Sequence, residues 1–463
     1  MSDVRRSTPP APSWLSARLY AKLWRLHFYA GMLTAPLVVW LCVTGILYII
    51  APQVEPALYR HLYDVPSGPV TTTFDAQLDA ARVAFPRLVA VQFTPSKGAG
   101  RTSQVAMTTA DEARMSGMRH GGPSERITVF VNPHTAQVVG TLRDEERYSR
   151  SMAQWHGNLY LGTTGRVLAD LGTTWTLAMV LTGLYLWLPR RPREVWGVWL
   201  TRVKGWQGRL WWRDFHAVFG MYTSLLLAAF LVTALMITIS TGAGFTRLRA
   251  ALGQNVPMAP RSLASQREPE ARRVSLQSLG ALAERDVRSA NYAISLPKSP
   301  AGLFTVSASN GMGSPTLRQD LMVDQYSGRV LHETGWADYP WLLKLTVIGL
   351  GFHFGALFGL VGEFLGIVAC LAAIFFVVSG LVMWWKRRPA LAWGVPKAVA
   401  GPMWAPFPTG LVVATAVFSV LLPTFGLTLV VALAVDAIVL RWMGRRRHAA
   451  SGGPTLATGV ASR

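Results

Sequence analysis

Residues 28–51 read FYAGMLTAPLVVWLCVTGILYIIA, an apolar run of 24 residues without one charged side chain. A helix rises about 1.5 Å per residue and a bilayer's hydrocarbon core is about 30 Å thick, so the run suffices for one crossing. Its length, and the lack of a small-residue cleavage site behind it, mark a retained anchor and not a cleaved signal peptide. Further apolar runs lie at 167–188, interrupted by Asp170, at 217–244, and at 364–385, whose apolar character reaches back to Gly349. The stretch 409–440 is too long for one ordinary crossing, and Pro423 to Gly426 (PTFG) supply turn chemistry that divides it. Six spans are expected, at 28–51, 156–188, 216–244, 349–385, 409–422 and 426–442.

Composition points the same way. Of 463 residues only 15% are charged and 51% are hydrophobic, yet the net charge is +21. A soluble globular chain carries about a quarter charged residues. The apolar content excludes intrinsic disorder, and two cysteines, Cys42 and Cys370, are too few for a disulfide scaffold. Both sit within spans and read as packing residues. A nucleic-acid partner would explain the basicity but neither the low charge density nor the 18 tryptophans. Sorting charge by side explains it. With both termini cytoplasmic, the inner pieces are 1–27, 189–215, 386–408 and 443–463. Counted with Arg441 at the mouth of the last span, they hold 21 Lys and Arg against Asp3, Glu194 and Asp214, a balance of +18. Arg190–Arg191, Lys386–Arg387–Arg388 and Arg445–Arg446–Arg447 stand at span ends, where the positive-inside rule counts most. The inverted topology would translocate all of them.

The chain also repeats itself. Trp24–Arg25 precede His27, with Gly31–Met32 following; Trp212–Arg213 precede His216, with Gly220–Met221 following. Both fit His-x3-Gly-Met at the inner mouth of a span. His156 and His353 each open His-x5-Gly-x2-Gly, at an offset of 197 that persists to the span ends TGLYLWLPRRP (182–192) and SGLVMWWKRRP (379–389). Agreement at four landmarks reads as two copies of span, external domain and span, with a C-terminal two-span hairpin added. The external segments 52–155 and 245–348 each show one helical pattern, short strands and a closing hairpin (VNPHTAQVVGTL, VDQYSGRVL), an α+β unit of modest size. The segments 110–124 and 253–273, rich in Gly, Pro, Arg and Ser, read as loops or insertions.

This arrangement, with V-[DN]-x-x-[ST]-[GA]-x-V hairpins and a span-ending WxxRRP, resembles the PepSY-associated transmembrane family over roughly residues 20–390. The resemblance implies an α-helical integral protein of the bacterial inner membrane with two periplasmic domains. Members of that family include reductases of ferric siderophores, so it also implies a periplasmic ferric siderophore or other iron chelate as acceptor.

Nine histidines occur, four of them at the repeated span mouths. Imidazole is a good axial ligand for haem iron, and helix bundles build such sites from facing side chains. Gly31 and Gly220 lie one turn from His27 and His216, on the same face, where small residues let a flat porphyrin approach. The glycine pairs after His156 and His353 are read the same way. No CxxCH occurs, so two non-covalent b-type haems are expected. His27 and His216 would hold the cytoplasmic haem and His156 and His353 the periplasmic one, giving a four-helix haem-binding bundle that conducts electrons across the membrane. Arg25 and Arg213 are suited to haem propionates, or serve as ordinary positive-inside charge.

Other features are weaker. Arg166 and Glu363 are equivalent positions and read as an Arg–Glu pair, with Asp170 as the simpler partner of Arg166. Asp436 has no visible partner. His61, His120 and His448 lack the symmetry of the four; His134 and His332 sit in the hairpins and read as surface residues, with an external iron-binding role left open. No GxGxxG follows a strand, so the electron donor is a separate cytoplasmic protein, a reduced cofactor or membrane quinol. Two rival readings stand beside the oxidoreductase. In one, the external domains bind or regulate a partner and the spans only anchor them. In the other, the parallel repeats form a transporter, although substrate-binding polar residues at mid-depth are missing.

Overall fold

The structure, a computed structural model, describes residues 17–115, 126–189, 195–202, 208–260, 262–266, 272–308, 313–389 and 407–451. His120, Arg190 and Arg191, and the side chains of Asp436, His448 and Arg445–Arg446–Arg447, lie outside the described residues. The chain runs α1 (Ala17–Ile49), α2 (Ala51–Leu58), α3 (Arg60–Tyr63), α4 (Phe74–Ala84), β1 (Val89–Thr94), β2 (Ser103–Thr108), α5 (Ala110–Met115), β3 (Ile127–Val131), β4 (Val138–Arg143), α6 (Tyr148–Asn158) and α7 (Gly162–Trp187). It continues through α8 (Arg209–Leu235), α9 (Thr241–Ala251), α10 (Leu276–Asp286), β5 (Tyr292–Ser295), β6 (Leu303–Ala308), β7 (Gln319–Asp324), β8 (Val330–Gly335), α11 (Trp341–His353), α12 (Leu360–Arg387), α13 (Thr409–Leu421) and α14 (Pro423–Ser451).

Helices α1, α7, α8 and α12 are long and apolar enough to cross a membrane. They pack as a ring in which α1 and α8 each touch both α7 and α12. Lipid tails are as apolar as leucine, so close packing and not water exclusion must hold such helices together, and small residues allow it. Gly366 is one: a Cβ there would stand 2.7 Å from Ile49 Cδ1. Ala369 and Ala373 are buried with Val38 and Leu227 at another contact.

Four described helices therefore meet the length and composition of a span, where six were expected. Helix α13 has 13 residues, about 20 Å at 1.5 Å per residue, short of the hydrocarbon thickness. The expected spans 156–188 and 349–385 are each two helices. His156 lies on α6 and His353 ends α11; each is separated from the span that follows by a reversal through left-handed backbone, at Leu159, Tyr160 and Gly162 in one case and Gly355, Phe358 and Gly359 in the other. The third span begins at Arg209 and ends at Leu235, before the expected 244.

The external segments do not form two separate units. Their strands join in one eight-stranded antiparallel sheet, ordered β4-β3-β2-β1-β5-β6-β7-β8. The seam pairs Gln92 with Ser295 and Phe93 with Ile294. Alternation along the strands turns Phe93, Val105, Met107, Val129, Ile294, Val306, Leu321 and Val323 to one face, where Leu78 of α4 and Leu279 of α10 close a common core. Each large side chain buried there contributes about 1.5–3 kcal/mol. Thr73 caps α4 by accepting from the Ala76 amide, and Ser275 caps α10 by accepting from the Ser278 amide. Across the seam Asp75 accepts from the amides of Leu276 (2.9 Å) and Gln277 (3.2 Å), so the two helix N-termini cap each other.

The hairpin motif also has a physical basis. Asn132 Oδ1 accepts from the His134 amide, and Asp324 Oδ1 from the amides of Tyr326 and Ser327. Ala136 and Gly328 then take left-handed backbone, which favours a small residue. Below the sheet, α13 and α14 pack on α7. Trp175 Nε1 donates to Thr428 Oγ1 (2.8 Å), and its ring lies against Phe425.

Candidate functional site

Two of the four matched histidines meet at each end of the bundle. The His27 and His216 ring centroids are 6.5 Å apart, and those of His156 and His353 are 6.2 Å apart. All four are half-buried. His156 Nδ1 contacts the Leu41 carbonyl, and His353 Nδ1 the Phe230 carbonyl. Leu41 and Phe230 stand the same 14 residues beyond His27 and His216 on their helices, so the two sites are separated by about 21 Å along the bundle.

The hydrogen bonds decide the tautomers. Thr182 Oγ1 donates to the Ala178 carbonyl (2.8 Å), so it accepts from His27 Nδ1–H at 2.9 Å. Ser379 Oγ donates to the Phe376 carbonyl (3.2 Å) and accepts from His216 Nδ1–H at 2.7 Å. The carbonyls of Leu41 (2.9 Å) and Phe230 (3.1 Å) can only accept, so His156 and His353 also carry their protons on Nδ1. These side-chain and carbonyl contacts run through Nδ1 in all four rings. A histidine whose Nδ1–H is held by a hydroxyl or carbonyl presents its Nε2 lone pair in a fixed direction, as metal-ligating histidines do.

No cluster of three or more His, Cys, Asp or Glu side chains occurs that would hold a metal ion among the described residues. Two imidazoles are too few for a bare ion, and suit an iron whose equatorial ligands come from a porphyrin. His27 with His216, and His156 with His353, would hold such an iron, the two rings of each pair lying 6.5 and 6.2 Å apart between centroids. Glycines frame the rings. A Cβ at Gly183 would stand 3.3 Å from His27 Cε1, and one at Gly45 would stand 3.2 Å from His156 Cε1. At Gly31 the nearest atom to a Cβ is Met179 Sδ at 3.6 Å, and at Gly220 it is Phe376 Cε1 at 3.9 Å, so a methyl at either would make an ordinary contact. The residues present fit a haem at each pair.

The other sequence-derived candidates fare differently. Gly165 and Gly362 do not open a slot: a Cβ would stand 1.6 Å from the Asn158 carbonyl oxygen and 2.0 Å from that of Leu357. They let each span pack against the turn that precedes it. Arg213 is engaged by Asp214 Oδ1 through Nε (3.0 Å) and Nη2 (2.6 Å), while Arg25 is buried beside the Tyr29 ring. The two equivalent arginines therefore sit in different surroundings. Arg166 and Glu363 form no pair; Glu363 accepts from Gln53 Nε2. Asp170 does not pair with Arg166 either. It is fully buried, and its Oδ2 accepts from the Ser240 amide and hydroxyl and from Thr424 Oγ1. His61 is exposed. Both ring nitrogens of His134 meet backbone carbonyls, of Pro69 and Ala99, and His332 Nε2 meets Thr334 Oγ1. The contacts occupy both ring nitrogens of His134 and one of His332.

Residues 24–387 match the family described as the PepSY-associated TM region. The chain belongs to the PepSY-associated TM family. No curated protein shows significant similarity to it. The matched region takes in all four histidines and the whole sheet, and leaves α13 and α14 outside. A membrane family of this kind accounts for the exposed apolar surface of α1, α7, α8 and α12, which faces lipid.

A polar network ties α6 to the sheet. Arg147 Nη1 donates to Glu55 Oε1 (2.7 Å) and Tyr63 Oη (3.0 Å), and Nη2 donates to Thr128 Oγ1 on β3 (2.8 Å). Burial pushes the Glu55 carboxyl up, but donation from Ser149 and the Arg147 charge outweigh it and hold it below the usual carboxylate range. The network fixes the start of the helix that carries His156.

Proposed function

We propose that the protein is an inner-membrane di-haem b oxidoreductase that passes electrons from the cytoplasmic side to a periplasmic acceptor, a ferric siderophore being the acceptor class the family resemblance favours. The observation that carries this reading is the pair of two-histidine sites, each with both Nδ1 protons tied down and ring centroids 6.5 and 6.2 Å apart. When bound, the two haems supply one-electron carriage between the faces. The chain's own part is to hold and orient. Thr182 and Ser379 aim the inner imidazoles; the Leu41 and Phe230 carbonyls aim the outer ones. The positive charge bias of the connecting loops supports an orientation with the sheet outside and the His27–His216 site toward the cytoplasm. Two internal copies of one unit explain why each site takes one histidine from each half.

The test is to reduce the purified protein and add a ferric hydroxamate chelate. A Soret band with reduced b-type α bands, and prompt reoxidation by the chelate, are expected. A colourless protein would favour the reading in which the spans only anchor a binding domain.

A further inference from the structure

A small polar pocket lies on the face of the sheet opposite the α4–α10 core. Its volume is about 170 Å³, and its lining includes Gln92, Thr94, Gln104, Arg126, Thr128 and Arg147, with Asp144 beside the arginines. We propose that this pocket binds one carboxylate arm of an anionic iron chelate and so positions the iron for reduction. The inference rests on the oxidoreductase reading for its purpose, though not for its binding chemistry.

The lining presents donors. Two guanidinium groups, two amides and two hydroxyls face one carboxylate, Asp144, whose oxygens lie 3.4 Å from Arg147 Nε and 3.8 Å from Arg126 Nε, so an incoming carboxylate must share the arginines with it; Glu55, which also pairs with Arg147, is not among the lining residues. Arg–carboxylate contacts are charge-assisted and tolerate a planar two-oxygen ligand. Both guanidiniums are held before any ligand arrives, Arg126 by Gln92 Oε1 (2.9 Å) and Arg147 by Glu55, Tyr63 and Thr128. Little side-chain freedom then remains to be lost on binding.

Size limits what enters. Sites that enclose a whole small molecule measure about 300–1,000 Å³, so a cavity of about 170 Å³ takes one arm and leaves the metal outside. Position gives the arm a use. Arg147 is the N-cap of α6, and His156 follows nine residues later on the same helix, about 14 Å along its axis. A chelate anchored at Arg147 thus lies over the helix that carries an outer histidine. The second half has no counterpart, because Pro340 takes the N-cap position at α11 that Arg147 takes at α6.

The experiment uses the full chain in detergent with citrate and ferric citrate as probes. Calorimetry should show citrate binding to the wild type, weakened about tenfold by Arg126→Gln and also weakened by Gln104→Leu, whose loss removes a donor without touching charge. Arg285→Gln, a change of equal charge on the far face, should bind citrate as the wild type does. With ferric citrate as acceptor, Arg126→Gln should raise KM by a similar factor while kcat stays within about twofold. Wild type that binds no citrate, or Arg126→Gln and Gln104→Leu that bind it normally, would overturn the proposal. Citrate binding that depends on Arg126 in a protein that reduces no iron would support the pocket and sink the oxidoreductase reading. Reduction of ferric citrate with KM indifferent to Arg126→Gln would do the reverse.

Discussion

An imidazole can hold iron firmly only if its ring is kept from rotating, and in the proposed di-haem protein that duty would fall on residues beside the histidines. At the inner site it falls on Thr182 and Ser379, whose hydroxyls each accept an Nδ1 proton while donating to their own helix. Replacing Thr182 with Val keeps the shape and removes the acceptor. Loss of such a supporting bond costs about 10–100-fold in metal affinity, so Thr182→Val should lose haem at one site to an apoprotein acceptor that much more readily. Haem retention equal to wild type would contradict the assignment. The four histidines were legible in the sequence because repeated neighbours flagged them. Thr182 and Ser379 were in view as well, as the first residues of the matching span ends, but nothing in their spacing tied a hydroxyl to an imidazole 155 or 163 residues away. The carbonyls of Leu41 and Phe230 had no signature, since every residue carries one. Arg213 shows what equivalence does not reveal: its match to Arg25 suggested a shared role, and the ion pair it makes with the adjacent Asp214 was not visible in that match.

Among the elements, the two short helices that carry the outer histidines matter most. Apolar patterning ran α11 together with α12, and the His156 helix together with α7, because hydropathy does not register a chain reversal. The signal was nevertheless present in Gly162 and Gly359, which take left-handed backbone, and in Gly165 and Gly362, which meet carbonyl oxygens. From the sequence alone these glycines read as room for a porphyrin. A direct comparison separates the two uses. Gly165→Ala forces a methyl into backbone that cannot rotate away, and should destabilise the protein by about 1–3 kcal/mol or more, with a lower Tm before any haem is considered. Gly31→Ala meets only Met179 at an ordinary contact distance, so it should leave the haem-free Tm within a degree or two while lowering haem loading at the inner site. Equal thermal losses in both variants would remove the distinction. The sheet was partly legible too: its strands and hairpin turns followed from alternation and Asx chemistry, but the seam between β1 and β5 depends on a pairing across about 200 residues that no local pattern shows.

At the scale of the molecule, two halves share one sheet and one four-helix ring, and a hairpin beyond the family region is fastened to α7. Asp170 is the fastening point. It is buried in a span, no basic side chain pairs with it among the described residues, and Thr424 supplies one of its donors. Removing residues 407–463 should therefore destabilise the remainder, because a buried acceptor that loses a partner costs about 1–3 kcal/mol; Asp170→Leu in the shortened chain should recover part of the lost Tm. No recovery would mean the hairpin acts elsewhere. Two haems, each held by one histidine from each half, would appear in the haem content per chain. A ratio near two is expected in the wild type, falling towards one in His27→Ala and, separately, in His353→Ala. A colourless wild type, or two haems retained in both variants, would contradict it.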